Sequence, residues 1–202
     1  MVKKTLAVVF TLLVAMSGAA ASAESISELI SDITEPIILV AKPELRDDLY
    51  GSSILVVTPL GGDEHVGFIV NRPTKVSLGA MLPQHGPAQK VVDPVYLGGP
   101  AGSQTIFAMV RRPESPGGHS VALMPGLFLA FDVAVLDRII ETEPNHARFV
   151  AGLVAWREGE LRAEIEAGAW YVLKPDAALV MRDPEGLWEE LVRRSQQADS
   201  TI

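Results

Sequence analysis

Apolar residues recur along this chain with the two periods that distinguish strands from helices. Short apolar runs bounded by Gly, Pro, Asn or Asp are typical of buried β-strands. Nine runs of this kind span residues 37–41, 52–59, 66–71, 92–97, 105–110, 121–124, 127–131, 149–156 and 170–174. Between the second and third runs, Gly61-Gly62-Asp63 is a typical turn sequence, so these two strands are predicted to form an antiparallel hairpin.

Other segments place apolar residues three and four positions apart, on one face of a helix. Near the N-terminus, such a face consists of Ile26, Leu29, Ile30 and Ile33. Three more helices are predicted, over residues 132–143, 158–167 and 184–197. Asp132 is a suitable N-cap for the helix over 132–143, and Gly168 is a suitable terminator for the helix over 158–167. Pro184 is suited to the first turn of the helix over 184–197. Strands and helices mixed in this way, without an internal repeat, predict one α+β domain.

The first 23 residues have the three-part pattern of a secretory signal peptide. Lys3 and Lys4 form a cationic start, residues 5–20 are uncharged and mostly apolar, and Ala21-Ser22-Ala23 offers the small residues of a cleavage site. An apolar stretch of this length is short for a stable membrane span, so we predict cleavage after Ala23. The alternative is an uncleaved N-terminal membrane anchor. A lipid anchor is excluded because the chain contains no cysteine.

These patterns divide the 202 residues into four parts. We predict a signal peptide over 1–23, an N-terminal helix or arm over 24–35, the α+β domain over 36–195 and a loose polar tail over 196–202. Cleavage would leave no membrane anchor and would place the protein in the periplasm or outside the cell. If the N-terminal pattern is not an export signal, the protein is cytoplasmic instead.

The chain is acidic as well as cysteine-free. Its 25 acidic and 17 basic residues give a formal net charge of −8, and removal of the signal peptide takes away two lysines and no acid. Such a charge repels phosphate backbones, so no nucleic-acid partner is expected. The absence of cysteine excludes thiolate nucleophiles and cysteine-ligated zinc or iron–sulfur sites.

The histidines show no spacing typical of a metal or catalytic centre. His65, His85, His119 and His146 occur in no H-x-x-H or H-E-x-x-H pattern. Asp63-Glu64-His65 lies at the predicted hairpin turn, where adjacent side chains point in different directions, so we expect a solvated turn there. No G-x-S-x-G or S-x-x-K motif is present to activate a serine. We therefore predict no metal, no cofactor and no catalytic residue.

A glycine-rich segment, Gly98-Gly99-Pro100, follows one of the predicted strands. It matches neither the dinucleotide-binding fingerprint nor the P-loop. Pro100 also lacks the backbone N–H that a phosphate-binding nest would use. We interpret this segment as a tight structural turn.

Two segments contain the candidate binding residues. Asn71-Arg72-Pro73 ends a predicted strand, and the planar guanidinium of Arg72 could bind a carboxylate of a partner. The structural alternative pairs Arg72 with an acid of this chain. Trp156 and Trp170 flank a short predicted helix that contains Glu164. They form either an exposed aromatic face or part of the core.

Five motifs in one order resemble the bacterial YqgE/AlgH family over roughly residues 36–190. They are Leu39-Val40-Ala41-Lys42-Pro43, Leu45-x-Asp47-x-x-Tyr50-x-x-Ser53, Gly67-Phe68-Ile69-Val70-Asn71-Arg72-Pro73, Tyr96-Leu97-Gly98-Gly99-Pro100 and Trp156-x-x-Gly159-x-Leu161-x-x-Glu164-x-x-x-x-x-Trp170. The resemblance implies a mixed α+β fold with a strongly bent, partly barrel-like sheet and a few flanking helices. It implies no reaction, since the family has no established enzymatic activity.

This sequence departs from the family pattern in three places. Glu160-Leu161-Arg162 stands where members usually have Gln-Leu-Glu, and Gly152-Leu153-Val154-Ala155 stands where they have Gly-Tyr-Ala-Gly. Typical members also lack an export signal. One branch is labelled a transcriptional regulator of alginate production, and an exported protein cannot act by contacting DNA.

We therefore expect a non-catalytic binding or scaffold domain in the cell envelope that engages another protein or a small ligand. One alternative is an envelope hydrolase or lyase whose Asp, Glu or His residues meet only in the fold. The other is a cytoplasmic transcriptional regulator, as labelled for one branch of the family.

Overall fold

A computed structural model describes residues 33–199. The predicted signal peptide, the N-terminal helix up to residue 32 and residues 200–202 lie outside this range. The strands are β1 (Ile37–Ala41), β2 (Ile54–Gly61), β3 (Glu64–Ile69), β4 (Pro73–Ser77), β5 (Pro94–Leu97), β6 (Ala101–Arg111), β7 (Ser120–Met124), β8 (Leu127–Ala130), β9 (Ala147–Trp156) and β10 (Trp170–Leu173).

Four α-helices accompany these strands in the described range. They are α1 (Leu78–Met81), α2 (Val133–Thr142), α3 (Glu160–Glu166) and α4 (Leu187–Asp199). Short 3-10 turns occupy Gly86–Lys90, Pro144–His146 and Leu179–Met181. None of the helices within residues 33–199 has the length and apolar character needed to cross a membrane.

The strands form one strongly curled, mostly antiparallel sheet in the order β10-β1-β2-β3-β9-β6-β8-β7, with β4 and β5 off this path. Strand β9 connects several parts of the sheet, because it pairs antiparallel with β3 and β6 and parallel with β5. The sheet as a whole curls into a half-barrel. The expected α+β class with a bent, partly barrel-like sheet is confirmed.

Hydrophobic clusters lie on opposite faces of this sheet at β6. Strand β6 shows the division, since Phe107 and Met109 belong to the larger core cluster while Ala108 and Val110 belong to the smaller one. Successive side chains of a strand point to opposite faces, so an uninterrupted apolar run needs cover on both. Helix α4 packs in the larger cluster, and helices α1 and α2 pack in the smaller one.

The predicted strands and the hairpin between β2 and β3 are confirmed. The Asp132 side chain accepts hydrogen bonds from the N–H groups of Ala134 and Val135, at 3.1 and 3.3 Å, so it caps α2 as expected. Strand β4 was not predicted because nearly all of its residues are exposed and no apolar alternation marks it. Helix α4 runs to Asp199 and so includes the first residues of the segment predicted as a tail.

Candidate functional site

A single carboxylate oxygen joins the two tryptophans of the last motif. Oε2 of Glu164, on α3, accepts a hydrogen bond from Trp156 Nε1 at 3.2 Å and from Trp170 Nε1 at 2.9 Å. Trp156 ends β9 and Trp170 begins β10, and they are only 5% and 4% exposed. The two indoles therefore pack in the interior and present no exposed aromatic face. We call these three residues the tryptophan–glutamate cluster.

Strand β3 is shaped to admit this cluster. Gly67 lies in β3, beside β9, and a Cβ atom there would come within 2.7 Å of the Trp156 ring. Any larger residue would push the indole away from Glu164. The glycine of the third motif and the first tryptophan of the fifth are thus complementary in shape.

Two ionisable groups at this cluster, Glu164 and Tyr50, have raised pKa values. Burial raises the pKa of the Glu164 carboxyl, and the two indole hydrogen bonds oppose this shift only in part. The Tyr50 ring stands edge-on to Trp170, with ring centroids 6.3 Å apart. Burial, followed by the charges of Glu164 and Asp47, raises the pKa of Tyr50 to about 12.

Tyr50 belongs to a compact segment that connects β1 to β2, which we call the 42–53 loop. Asp47 Oδ1 accepts from the N–H groups of Leu49 and Tyr50, at 2.8 and 2.7 Å. The Ser53 hydroxyl donates to the Tyr50 carbonyl at 2.6 Å. These bonds satisfy the polar backbone of a loop that has no strand partner. Asp47 and Ser53 of the second motif thus bind the backbone of the loop.

Asn71 and Arg72 hold the other side of the same loop. The Asn71 side chain accepts from Ile54 N–H at 2.8 Å and donates to the Ser52 carbonyl at 2.9 Å. Arg72 Nη1 donates to the Asp48 carbonyl at 3.1 Å, and Nη2 donates to the Gly51 carbonyl. The planar guanidinium fork thus binds two backbone oxygens of the chain itself. Pro73 is exposed and begins β4, opposite Tyr96 of β5.

The residues predicted as a binding surface therefore form two groups that meet at the 42–53 loop. Asn71 and Arg72 bind its backbone on one side, and Trp170 contacts its Tyr50 side chain on the other. The structure brings the second, third and fifth motifs together in this way. Asn71 and Arg72 bind the loop directly, whereas Glu164 binds the tryptophan that contacts Tyr50.

The glycine-rich segment allows two backbones to pass closely. A Cβ on Gly98 would lie 2.3 Å from the Gly152 carbonyl oxygen, and one on Gly99 would lie equally close to the Leu153 carbonyl. The Gly98 N–H donates to Ala151 at 2.8 Å and its carbonyl accepts from Ile69 at 2.8 Å. No side chain fits here without moving β9, so the segment serves backbone packing.

The expectation of a solvated turn is wrong for His65. This side chain is 1% exposed, with Nδ1 3.1 Å from the Asp63 carbonyl oxygen and Nε2 2.9 Å from the Ile33 carbonyl oxygen. The turn ends at Asp63, and His65 is already part of β3, paired with Trp156 of β9. No group of three or more His, Asp and Glu side chains suited to a metal occurs in residues 33–199.

Arg148 is a buried charged residue that sequence reasoning missed. It is 7% exposed, and its two terminal nitrogens donate to the carbonyls of Val70 and Arg182 at 2.8 and 2.9 Å. Its guanidinium lies 4.2 Å from the centroid of the Tyr96 ring, and burial lowers its pKa. A lone arginine in an apolar strand gives no signal of such contacts, since both acceptors come from distant segments.

Comparisons with known proteins agree with this architecture. The family model described as AlgH-like (DUF179) matches residues 38–199. A UPF0301 protein of Methylococcus capsulatus is 31% identical over 162 residues, covering 78% of this chain and 88% of that protein. A UPF0301 protein of Thermobifida fusca is 30% identical over 167 residues, covering 78% and 84%.

Two solved structures share the fold at 20% identity. The solution structure of the AlgH protein from Pseudomonas aeruginosa has a TM-score of 0.67 and covers 79% of this chain and 87% of its own. The crystal structure of protein DIP2367 from Corynebacterium diphtheriae also has a TM-score of 0.67 and covers 81% and 87%.

Proposed function

We propose that this chain, which belongs to the AlgH-like family, is a non-catalytic binding domain of the bacterial cell envelope. The curated relatives named above carry no activity in their names. We infer the binding role from the contacts that the motif side chains make.

The observation that carries the proposal is that the polar motif side chains bind other parts of the same domain. The carboxylate of Glu164 accepts from two indoles, the guanidinium of Arg72 donates to two carbonyls, and the amide of Asn71 bridges β2 and the loop before it. A general acid or base must instead reach a proton of its substrate. Side chains that are engaged in internal hydrogen bonds in this way are better suited to holding the structure in place than to acting on a substrate.

The surface that we assign to binding is the 42–53 loop. Its residues Glu44, Arg46 and Asp48 are exposed, while its backbone is bound from within by Asp47 and from outside by Arg72. A loop already held in one conformation loses little entropy on binding. We infer that its exposed charged side chains contact the partner, and that a protein with matching charges is the favoured partner class.

Envelope location is the second part of the proposal and rests on the signal-like N-terminus. Cell fractionation combined with N-terminal sequencing tests it. A mature protein that begins at Glu24 in the periplasmic fraction supports the proposal. An intact Met1 in the soluble cytoplasm would reject this part and return the cytoplasmic regulator to consideration.

The binding role is tested with a photo-crosslinking amino acid at Arg46, using protein produced in its own cells. The matched control carries the same group at Glu141, which is exposed on α2. A defined product that forms only from position 46 and weakens in an Arg72→Met background supports the proposal. Equal products from both positions, or none from position 46, would reject the loop as the binding surface.

One observation favours an acid–base enzyme as a second candidate. Glu164 and Tyr50 both contact Trp170 and both have raised pKa values, and groups with shifted pKa values occur often at catalytic sites. A broad hydrolase and lyase screen of wild type and Glu164→Gln separates the two functions. Turnover that the substitution abolishes, with the fold intact by circular dichroism, would replace the binding proposal with an enzyme.

A further inference from the structure

Strand β7 ends the hydrogen-bonded sheet of the described residues, with its last two residues buried and part of the strand close to β2. It pairs with β8, which is its one strand partner in the part of the chain that the structure describes. Its residues, Ser120 to Met124, include no charge and no proline. The register shift that interrupts the pairing lies near the turn, between Ala122 and Met124, and leaves the first three residues in regular register. An edge strand of this kind is a template for another strand.

Apolar side chains surround the exposed part of this edge. Val121 is 46% exposed and pairs with Leu129 of β8, so the two side chains share one face. Phe131, two residues beyond Leu129, extends the same row and is 43% exposed. Because Leu129 belongs to the larger core cluster, this exposed row continues the core to the rim of the sheet.

Several charged side chains near the edge have partners within the chain. Arg112 pairs with Glu143 at 2.9 Å, and His119 lies 3.6 Å from Asp132. Arg138 donates to the carbonyl of Pro116. The chain as a whole has a formal net charge of −8, so two copies repel each other over most of their surfaces. Strand β7 itself adds no charge to this repulsion.

The other free strands in residues 33–199 differ in this respect. Strand β4 begins with Pro73 and carries Lys75. Beside β10, the Lys42 ammonium lies 5.0 Å from the centroid of the Tyr171 ring, and Lys174-Pro175 follows the strand directly. Lysine and proline are common protection of edge strands.

We propose that β7 pairs antiparallel with β7 of a second copy, so that two half-barrels share one continuous sheet about a two-fold axis. The partner strand is then the same uncharged segment, Ser120–Met124, so no charge is buried when the two strands pair. A two-fold contact is self-complementary and closes at a dimer, whereas pairing of β7 with β10 of another copy would grow into open chains. This inference is independent of the proposed function.

The first test compares two edge valines of similar exposure, Val121 on β7 and Val172 on β10, which are 46% and 42% exposed. Sedimentation equilibrium of the protein as purified from its own cells should show a dimer. Val121→Lys places two ammonium groups near the two-fold axis and should weaken the dimer at least about tenfold. Val172→Lys should leave it unchanged. A monomer at all concentrations, or a dimer that only Val172→Lys weakens, overturns the proposal.

The second test exploits the absence of cysteine from the chain. Single substitutions Ser120→Cys, Val121→Cys and Ala122→Cys each introduce one thiol along β7. In paired antiparallel strands, opposed Cα atoms lie about 4.5–5.5 Å apart, which a disulfide can span. Rapid oxidation to a covalent dimer at one of these positions, and not in Val172→Cys, supports the pairing.

Mixing Ala122→Cys with Val172→Cys tests the rival arrangement. A mixed disulfide in preference to symmetric products would mean that β7 meets β10, and would overturn the two-fold dimer. Unfolding curves of each variant at low protein concentration establish that its monomer is folded, so that loss of the dimer reports on the contact alone.

Discussion

At one edge of the sheet, β10 and its neighbour β1 make buried side-chain hydrogen bonds, whereas at the other edge β7 exposes an apolar side chain. Trp170 of β10 donates to the buried Glu164 carboxylate, and the neighbouring β1 receives a hydrogen bond from Trp188 to the Ala41 carbonyl at 2.8 Å. Strand β7 instead exposes Val121, and the hydroxyl of its Ser120 lies 2.9 Å from that of Ser115. Substitutions should therefore affect the stability of the folded chain near β10 and the association of chains near β7.

The largest loss in the free energy of unfolding is expected for a substitution of Trp170. Trp170→Ala removes a buried indole and its hydrogen bond to Glu164, and truncation of a buried aromatic costs about 3–5 kcal/mol. Urea unfolding followed by circular dichroism measures the loss. A cost below about 1 kcal/mol would mean that β10 frays without consequence for the fold, and that the contrast between the two edges is false.

A smaller effect is expected at Arg72, whose guanidinium holds the 42–53 loop. Arg72→Ala should cost about 1–2 kcal/mol, since it leaves two backbone carbonyls without their charged donor. Hydrogen exchange should accelerate in residues 47–53 and remain unchanged in β7. Arg72→Lys is the matched control and should recover only part of the loss, because an ammonium cannot donate as a planar fork.

The pH dependence of stability should report on Glu164. Because its folded-state pKa is raised, the native state binds more protons than the unfolded state between the two pKa values. Wild-type stability should therefore fall as pH rises through this window. Glu164→Gln keeps an oxygen for the two indoles without a charge, so it should match wild type in acid and be more stable at neutral pH. A steeper decline in the variant would contradict this assignment.

Tyr50 should produce a second decline, at alkaline pH. Its pKa of about 12 lies above the ordinary value, so the unfolded chain releases this proton first and stability falls as pH rises from about 10 to about 12. Tyr50→Phe should remove this part of the alkaline dependence. Absorbance titration of the phenol, compared with the same variant, identifies the group directly.

The smallest effect is expected at Val121. Val121→Ala removes two exposed methyl groups and should change the stability of the monomer by no more than about 0.5 kcal/mol. Unfolding at low protein concentration makes this measurement. A cost comparable to that at Trp170 would show that β7 is an inner strand covered by another part of the chain, which removes the basis of the comparison.

Prediction from the sequence succeeded where the signal is local. Asp132 lies next to the backbone groups that it caps, and Gly61-Gly62-Asp63 joins two strands that are adjacent in the sheet. It failed for His65, whose neighbours in sequence form an exposed turn while its neighbours in space are Ile33 and Trp156. It also failed for strand β4, because exposed residues carry no pattern of burial.

The sequence by itself determined the α+β class, the Asp132 cap, the turn at residues 61–63 and the order of the motifs. These follow from the periodicity of side chains and from backbone preferences that act within a few residues. The last helix, by contrast, begins at Leu187 and leaves Pro184 outside its first turn. Only the tertiary structure decided that one oxygen of Glu164 lies between two indoles and that Arg148 reaches the carbonyl of Val70, 78 residues away. Such contacts depend on the order of strands in the sheet, because burial and hydrogen-bond partners are set by the segments that the fold brings together.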